Sequence, residues 1–170
     1  MSVFIPNLIL PDVTSIDIPL LNQYNIKGII LDVDNTLTTH GSQEIKAHIS
    51  DWLDVMKGNN IKLIIVSNNT FERIEPFANN LKLDFVAMGC KPLTSGFTKA
   101  QKKLGLPRNE IAVVGDQIYT DIVGGNLKRF FTILVTPFEL EDGKFFKLKR
   151  MLESRHIKRY NKRKSKENAC

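Results

Sequence analysis

The stretch Gly28-Ile29-Ile30-Leu31-Asp32-Val33-Asp34-Asn35-Thr36 decides the predicted fold of this chain. Its first four residues form a short apolar run, which is typical of a strand buried on both faces of a parallel sheet. Asp32 follows where this strand should end, and open parallel sheets bind ligands at the carboxyl ends of their strands. The side chains of Asp32 and Asp34 would share one face of the strand, and the repulsion between two carboxylates is costly unless a cation or a proton neutralises one of them. An Asx-type turn is the simpler interpretation, but a carboxylate pair after a buried strand favours a chemical role.

The composition is that of one globular domain, because 170 residues with 42% hydrophobic and 25% charged content suit a single core. The two cysteines, Cys90 and Cys170, form no disulfide framework and no metal cluster, so we expect a reducing compartment. Cys90 is predicted to be a small buried residue. The N-terminus lacks the positive charge of a signal peptide, and no apolar run reaches the ~20 residues that span a bilayer. We therefore expect a cytoplasmic protein, and peripheral contact with the inner face of the membrane stays open.

The net charge of +6 is unevenly distributed along the chain. Residues 144–170 carry a net charge of +9, whereas residues 1–143 carry −3. This asymmetry predicts a domain over 1–143 and a basic helix or tail over 144–170. Apolar residues at Phe145, Leu148, Leu152 and Ile157 give the tail an edge that would suit an anionic membrane. Equally, the apolar edge could pack on the domain, with residues 158–166 solvated and disordered. A third alternative is contact between the run 162–164 and RNA, although no aromatic RNA-reading motif accompanies that run.

Apolar runs and amphipathic stretches alternate along the rest of the chain. Strands are predicted near 27–33, 61–66, 84–88, 111–114 and 130–135, helices over 42–57, 71–81, 94–104 and 119–126, and a loop with a short helix near 19–24. The helix over 42–57 has a continuous apolar stripe, with Ser42 as its cap, Gly58 at its end and His48 on the solvent side. This alternation predicts an α/β fold with three layers, a Rossmann-like parallel sheet of about five strands between helices.

Polar side chains follow four of the predicted strands, and the ends of parallel strands meet at one edge of a sheet. They are Asp32 and Asp34, then Ser67 and Asn68, then Lys91, and finally Asp116 with Asp121. Each has an ordinary explanation as a turn former, a helix cap or a surface lysine. Their joint placement nevertheless favours a site. His40, in the loop after the first motif, would touch a substrate or be an ordinary loop residue.

Such a group of side chains suits phosphate chemistry. Carboxylates are ligands for Mg²⁺, which typically takes one or two of them together with waters and a substrate phosphate. A carboxylate that attacks a phosphate dianion meets a repulsion of about 4 kcal/mol per charge pair at 4 Å and an effective dielectric near 20. Mg²⁺ and Lys91 have the sign needed to offset it, and phosphoryl transfer depends mostly on this kind of stabilisation.

These residues carry a family resemblance. Asp-Val-Asp-Asn-Thr at 32–36, Ser67, Lys91 and Gly115-Asp116 with Asp121 resemble the four motifs of the haloacid-dehalogenase (HAD) superfamily, in the same order over residues 28–136. Leu-Asp-Val-Asp-Asn-Thr-Leu, Val-Ser-Asn-Asn, Lys-Pro-Leu-Thr and Val-Val-Gly-Asp-Gln-x-x-Thr-Asp-x-x-Gly-Gly-Asn resemble the YqeG-type phosphatases of HAD subclass IIIA. This subgroup is related to the phosphatidylglycerophosphate phosphatases, and the resemblance covers nearly the whole chain except its Lys-rich end.

The resemblance implies roles for the first motif. Asp32 would be the nucleophile that forms an aspartyl-phosphate. Asp34 would protonate the leaving oxygen and then activate water, and Thr36 would orient Asp34. Haloacid dehalogenases lack such an acid, so Asp34 implies a phosphate ester as substrate.

The resemblance also implies a phosphoryl-binding site and a metal site. Ser67 and Lys91 would bind the transferring group together with Thr36 and Asn68. Mg²⁺ would be held by Asp32, Asp116, the backbone carbonyl of Asp34 and, in support, Asp121.

Too few residues lie between Thr36 and the first long helix, or between Ser67 and Lys91, for an inserted cap domain. An open site suits a large substrate or a head group at a surface, so we place phosphatidylglycerophosphate, an anionic lipid, first. One alternative is a soluble sugar- or nucleotide-phosphate phosphatase closed by oligomerisation, and the oligomeric state stays open. The other is a ribosome- or RNA-associated protein with secondary phosphatase activity.

Overall fold

The structure is a computed structural model that describes residues 2–139 and 144–167, with side chains for 2–139 and 151–166. Its strands are β1 (Leu8–Leu10), β2 (Gly28–Leu31), β3 (Lys62–Val66), β4 (Asp84–Val86), β5 (Ile111–Gly115) and β6 (Phe131–Val135). Its α-helices are α1 (Ile18–Gln23), α2 (Ala47–Gly58), α3 (Phe71–Asn80), α4 (Thr94–Leu104), α5 (Val123–Leu127) and α6 (Lys144–Glu167). Two 3₁₀ turns (Val13–Ser15 and Arg108–Glu110) and a π-helix (Ile118–Ile122) complete the described elements.

All six strands are parallel, in the order β1-β6-β5-β2-β3-β4. The predicted parallel sheet is confirmed, and β2 lies inside it between β3 and β5. The sheet has one strand more than expected, because Leu8–Leu10 pairs with β6 at the edge. This strand has only three half-buried residues, so it lacks the buried apolar run that marks β2, β3, β5 and β6.

Two apolar layers flank the sheet, which confirms the three-layer prediction. Ile29 and Leu31 of β2 pack in the cluster that contains the buried faces of α2 and α3. Ile30 packs on the opposite side, in the cluster that contains Phe97 and Leu104 of α4. Each fully buried side chain of this size contributes about 1.5–3 kcal/mol relative to an exposed one. Burial on both faces explains why the β2 sequence has no polar alternation.

Most predicted elements are confirmed within a few residues, and α4 ends at Gly105 (φ 65°) as expected. The prediction that α2 begins at Ser42 is wrong, because the helix starts at Ala47 with Lys46 as its N-cap. The Ser42 carbonyl instead accepts a 2.9 Å hydrogen bond from the guanidinium of Arg73 on α3. The helix predicted over 119–126 is a π-helix followed by α5.

Two single-residue predictions have opposite outcomes. His48 is exposed, as expected. Cys90 is exposed, so the prediction that it is a small buried residue is wrong. Its φ of 53° belongs to the left-handed turn that follows β4, and this turn directs the side chain away from the core.

The C-terminal helix α6 packs on the domain. Ile157 contacts the cluster formed by Ile118, Ile122 and Leu134, and the His156 ring stacks on Phe4 with centroids 4.9 Å apart. The helix continues through Glu167, so the alternative of a disordered end over 158–166 is wrong. The side chains of residues 145 and 148 lie outside those described. Within the described ranges, no helix is both long and apolar enough to cross a membrane.

Candidate active site

The first motif forms a tight turn at the end of β2. The Asp32 backbone N–H donates to the Val114 carbonyl at 3.0 Å, so Asp32 is still held by the sheet. The Val33 carbonyl then accepts hydrogen bonds from the N–H groups of residues 36, 37 and 38 at 3.2, 2.9 and 3.2 Å. Asn35 takes a left-handed φ of 61° inside this turn, a conformation that asparagine tolerates well. The turn lets the side chains of both Asp32 and Asp34 reach the same cavity.

That cavity has a volume of about 180 Å³ and lies at the carboxyl ends of the strands. Its lining residues are Asp32, Asp34, His40, Ser67, Asn68, Asn69, Lys91, Gln117, Thr120 and Asp121. The predicted convergence of strand-end side chains is therefore observed for most of the candidate residues. Thr36 and Asp116 are buried beside the cavity and do not line it.

Lys91 lies at the centre of this group, with only 4% of its side chain exposed. Its ammonium contacts the Asp32 carboxylate and donates to Asp121 Oδ1 at 2.6 Å. The Asn68 side chain fixes the Lys91 backbone from both sides, because its amide donates to the Lys91 carbonyl at 3.0 Å and its oxygen accepts from the Lys91 N–H at 2.6 Å. Asn68 therefore determines where the lysine enters the cavity.

Burial and neighbouring charges shift the pKa values of this pair. Burial raises the pKa of Asp32 to about 7; the Lys91 ammonium opposes this shift, and the charges of Asp121 and Asp34 add to it. Burial alone would lower the pKa of Lys91, but the charges of Asp121 and Asp32 outweigh it and the pKa is raised. Lys91 is thus a permanent cation in contact with a carboxylate that protonates near neutral pH.

Three carboxylates form a cluster behind the lysine. One oxygen from each of Asp32, Asp116 and Asp121 lies within 4.8 Å of the other two. Asp121 approaches the end of β5 closely, because a Cβ on Gly115 would lie 2.3 Å from the Asp121 Cγ. Asp121 Oδ2 also accepts from the Gln117 N–H at 3.3 Å. Closely spaced, buried carboxylate oxygens are a donor set that fits a hard divalent cation such as Mg²⁺.

Asp34 is held by Asn69, Gly41 and Arg73, none of which was a predicted site residue, and by His40, which was a candidate. Asn69 Nδ2 donates to Asp34 Oδ2 at 2.5 Å, and the Gly41 N–H donates to Oδ1 at 2.9 Å. The Arg73 guanidinium lies 3.3 Å from the same Oδ1, and His40 Nδ1 lies 3.8 Å from it. The run Ser67-Asn68-Asn69-Thr70 signalled Asn69, whereas Arg73 resembled any charged residue in the first turn of a helix.

The remaining candidate residues contact the aspartates or the loop beside them. The Thr36 hydroxyl lies 3.5 Å from Asp32 Oδ2, so its described contact is with the first aspartate and not with Asp34. Ser67 Oγ accepts from the Asn69 N–H at 3.1 Å while the residue also lines the cavity.

The helix α6 also contributes to the site. The buried Glu153 accepts a 2.8 Å hydrogen bond from the backbone N–H of Ile118, the first residue of the π-helix that carries Asp121. Glu153 lies in the basic segment and outside every motif, so no sequence signal connects it with the site.

Comparison with known proteins assigns the chain to a family. A family model described as mitochondrial PGP phosphatase matches residues 1–82, and a HAD-hydrolase-like model matches residues 89–137. A protein of Bacillus subtilis named probable phosphatase YqeG is 34% identical over 152 residues, which cover 89% of this chain and 88% of that protein. The chain belongs to the YqeG-type phosphatases of the HAD superfamily.

Two further similarities extend this result. The Chlamydomonas reinhardtii protein named phosphatidylglycerophosphate phosphatase 1, chloroplastic, is 25% identical to this YqeG-type phosphatase over 80% of the chain, which spans 54% of that relative. A crystal structure of an uncharacterized protein from Listeria monocytogenes serotype 4b superimposes with a TM-score of 0.56 at 21% identity, covering 70% of this chain and 84% of that one. The second similarity concerns the fold alone.

Proposed function

We propose that this YqeG-type phosphatase is a Mg²⁺-dependent phosphomonoesterase that acts through an aspartyl-phosphate on Asp32. One observation carries the proposal. The Asp32 carboxylate, in contact with the buried Lys91 ammonium and beside two buried carboxylates, faces a cavity of about 180 Å³. A nucleophile, a permanent cation and a set of metal ligands thus meet where a phosphoryl group would fit.

The reaction has two steps. An Asp32 oxygen attacks phosphorus, the bond from phosphorus to the alcohol oxygen breaks, and Asp34 gives its proton to that oxygen. Asp34 then takes a proton from water, whose oxygen attacks the same phosphorus and releases phosphate and the Asp32 carboxylate. Asn69 and Gly41 support this role, because their hydrogen bonds fix the Asp34 carboxyl at the cavity.

Charge compensation is the main task of the other residues. The repulsion between the Asp32 carboxylate and a phosphate dianion is about 4 kcal/mol per charge pair at 4 Å and an effective dielectric near 20. Lys91 and the Ser67 hydroxyl would bind the phosphoryl oxygens, with Thr36 supporting Asp32 and Asn68 supporting Lys91. Mg²⁺, when bound, would neutralise developing charge; the residues that would hold it are Asp32, Asp116, the backbone carbonyl of Asp34 and Asp121.

The proposed substrate is phosphatidylglycerophosphate. Relatives of this chain carry the name of that activity, and the phosphatidylglycerophosphate phosphatase family model matches its first 82 residues. The segments 37–46 and 68–90, where a cap would be inserted, hold no extra domain, so the cavity stays open to a head group at a surface. We further propose that residues 1–143 form the hydrolase domain, that 144–170 form a basic appendage, and that the protein works at the inner face of the membrane.

A phosphatase screen with Mg²⁺ tests this proposal. It should include phosphatidylglycerophosphate in mixed micelles beside soluble sugar and nucleotide phosphates, with Asp32→Asn as the inactive variant. Asp54→Asn, on the exposed side of α2, is the matched control. We expect the highest kcat/KM on the lipid, full activity for Asp54→Asn and none for Asp32→Asn.

Three outcomes would contradict the proposal in different ways. Preference for a soluble ester would contradict the lipid substrate, and a tetramer with sites at its interfaces would then favour the small-metabolite alternative. Activity retained by Asp32→Asn would contradict the mechanism. Absence of Mg²⁺-dependent hydrolysis of every ester would contradict the function itself.

A further inference from the structure

A second and larger concavity lies at the free edge of the sheet, away from the catalytic carboxylates. This groove has a volume of about 830 Å³ and runs along β4 between the start of α3 and the length of α4. Its apolar lining includes Phe71, Phe85, Val86 and Met88. Its charged lining consists of Lys99, Lys102, Lys103 and Glu75. We call it the edge groove.

The edge groove leaves large apolar side chains in contact with water. Phe71 is 49% exposed and Met88 67% exposed, and the rings of Phe71 and Phe85 lie 5.2 Å apart. Because β4 is the last strand of the sheet, no described strand covers this side. Contiguous apolar surface of this kind marks an interaction site more often than scattered exposed residues do.

The charges of the edge groove are predominantly positive. Lys99 and Lys102 are exposed, and neither has an ion-pair partner among the residues that the structure describes. Lys103 is 3.5 Å from Asp84 and is therefore partly compensated. An apolar floor flanked by uncompensated lysines complements an anionic amphiphilic surface, in which negative head groups lie above hydrocarbon.

Backbone hydrogen bonds connect the edge groove to the loop that lines the active-site cavity. The Met88 N–H donates to the Asn69 carbonyl at 2.9 Å, and the Gly89 N–H donates to the Ser67 carbonyl at 2.8 Å. Ser67 and Asn69 line the cavity, whereas Met88 lines the groove. The groove and the cavity are therefore linked through the short segment that follows β4.

We propose that the edge groove is the surface through which this protein docks on an anionic lipid bilayer. Phe71 and Met88 enter the interfacial region, while Lys99 and Lys102 contact head-group phosphates. This inference rests on the proposed function in one respect, since the bilayer would hold the proposed substrate. Docking itself requires no turnover and is measured separately.

Cosedimentation with vesicles tests the proposal on the full chain. The wild-type protein should bind vesicles of equal parts phosphatidylglycerol and phosphatidylcholine much more tightly than phosphatidylcholine alone. Each lysine near an anionic surface contributes about fivefold in affinity, so Lys99→Ser with Lys102→Ser should weaken binding roughly 30-fold. Phe71→Ser with Met88→Ser should weaken it about tenfold or more, because two partly exposed apolar side chains no longer enter the interface.

Two control variants address other surfaces. Val55→Ser with Leu127→Ser removes exposed apolar residues elsewhere, and Lys158→Ser with Lys162→Ser removes charges from α6. Both should bind the anionic vesicles within about threefold of wild type. A loss in either control as large as in the groove variants would overturn the proposal, and so would equal wild-type binding to both kinds of vesicle.

Two further measurements separate the alternatives. If sedimentation velocity finds a dimer that the Phe71→Ser, Met88→Ser variant dissociates, without vesicle binding by the wild type, the groove binds a second copy and the proposal is wrong. Groove variants should hydrolyse p-nitrophenyl phosphate like wild type and lose activity only on vesicle-borne substrate. A wild-type protein that binds anionic vesicles but hydrolyses no phosphate ester would contradict the proposed function and leave the docking surface supported.

Discussion

Replacing Lys91 by methionine should destabilise the metal-free protein severely. Lys91 is the one described cation in direct contact with Asp32 and Asp121, and it is almost completely buried. Methionine keeps the unbranched side chain up to the position of Cε but removes the charged amino group. The substitution therefore leaves buried carboxylates without compensation, although the packing changes little.

The structure sets the scale of this loss. At 2.6 Å from Asp121 and an effective dielectric near 20, the ammonium contributes about 6 kcal/mol of gross attraction. Two ionised carboxylates whose oxygens lie within 4.8 Å repel each other by at least about 3.5 kcal/mol under the same assumption. Desolvation of the lysine opposes the attraction, and breaking a buried ion pair costs about 3–5 kcal/mol in practice. We expect a decrease of that size in the free energy of unfolding.

The decrease in the free energy of unfolding is measured by urea unfolding in EDTA, with the fluorescence of Trp52 as the probe. Trp52 is the single tryptophan of the chain, is 6% exposed and donates from its indole to the Ile16 carbonyl at 2.7 Å, so it reports loss of the core. Lys103→Met is the matched control, because Lys103 is half-exposed and its ion pair with Asp84 should contribute less than about 1 kcal/mol.

The destabilisation caused by Lys91→Met should depend on pH. The Lys91 ammonium lowers the pKa of Asp32, so its removal raises that pKa further, and protonation of the Asp32 carboxyl relieves part of the repulsion at lower pH. The destabilisation by Lys91→Met should therefore be larger at pH 8 than at pH 6, and Mg²⁺ should restore part of it. A loss no larger than that of Lys103→Met would refute the argument that Lys91 compensates the acidic cluster.

Three further predictions concern the surroundings of the site. Gly115→Ala should lower kcat/KM about a hundredfold, because its Cβ would lie 2.3 Å from the Asp121 Cγ and displace that carboxylate. Glu153→Ala should cost about 1–3 kcal/mol in urea unfolding and weaken Mg²⁺ binding by calorimetry, because it leaves the Ile118 N–H without its acceptor. Burial lowers the pKa of His156, so the unfolded state binds more protons than the folded state, and the free energy of unfolding should fall as the pH drops below about 6.5. His156→Phe should remove this dependence of the free energy of unfolding on pH.

Each of these predictions has a control in the same chain. Gly58→Ala has open space around the new Cβ and should leave kcat/KM unchanged. Glu153→Gln keeps a carbonyl acceptor and should behave like wild type. His48→Phe, at an exposed position, should keep the pH slope. If a control variant showed the same change as its test variant, the physical reason given for that prediction would be wrong.

The sequence predicted where the site lies because its signals are local. A short apolar run identifies a buried strand, and parallel strands bring their ends to one edge. Asp32, Ser67, Lys91 and Asp121 could therefore be placed around one cavity from their positions after predicted strands. The same reasoning identified α4 correctly to the residue, since its apolar stripe ends at a glycine.

The parts that could not be predicted depend on contacts between distant segments. Arg73 reaches Asp34 across 39 positions, and Glu153 reaches Ile118 across 35. Neither contact leaves a periodic or compositional trace. Cys90 is exposed because it lies in a left-handed turn, and its residue type does not predict such a turn. Residues 8–10 form a strand by pairing with β6, which lies far away in the sequence.

Trapping a phosphoryl group on Asp32 would test the proposed mechanism. The protein is mixed with Mg²⁺ and excess phosphate ester, quenched in acid within the first turnover, and digested for mass spectrometry. We expect one phosphoryl group on the peptide that contains Asp32, released by hydroxylamine and missing from Asp32→Asn. Rapid turnover without any phosphorylated peptide, or the phosphoryl group on another residue, would contradict the proposed mechanism.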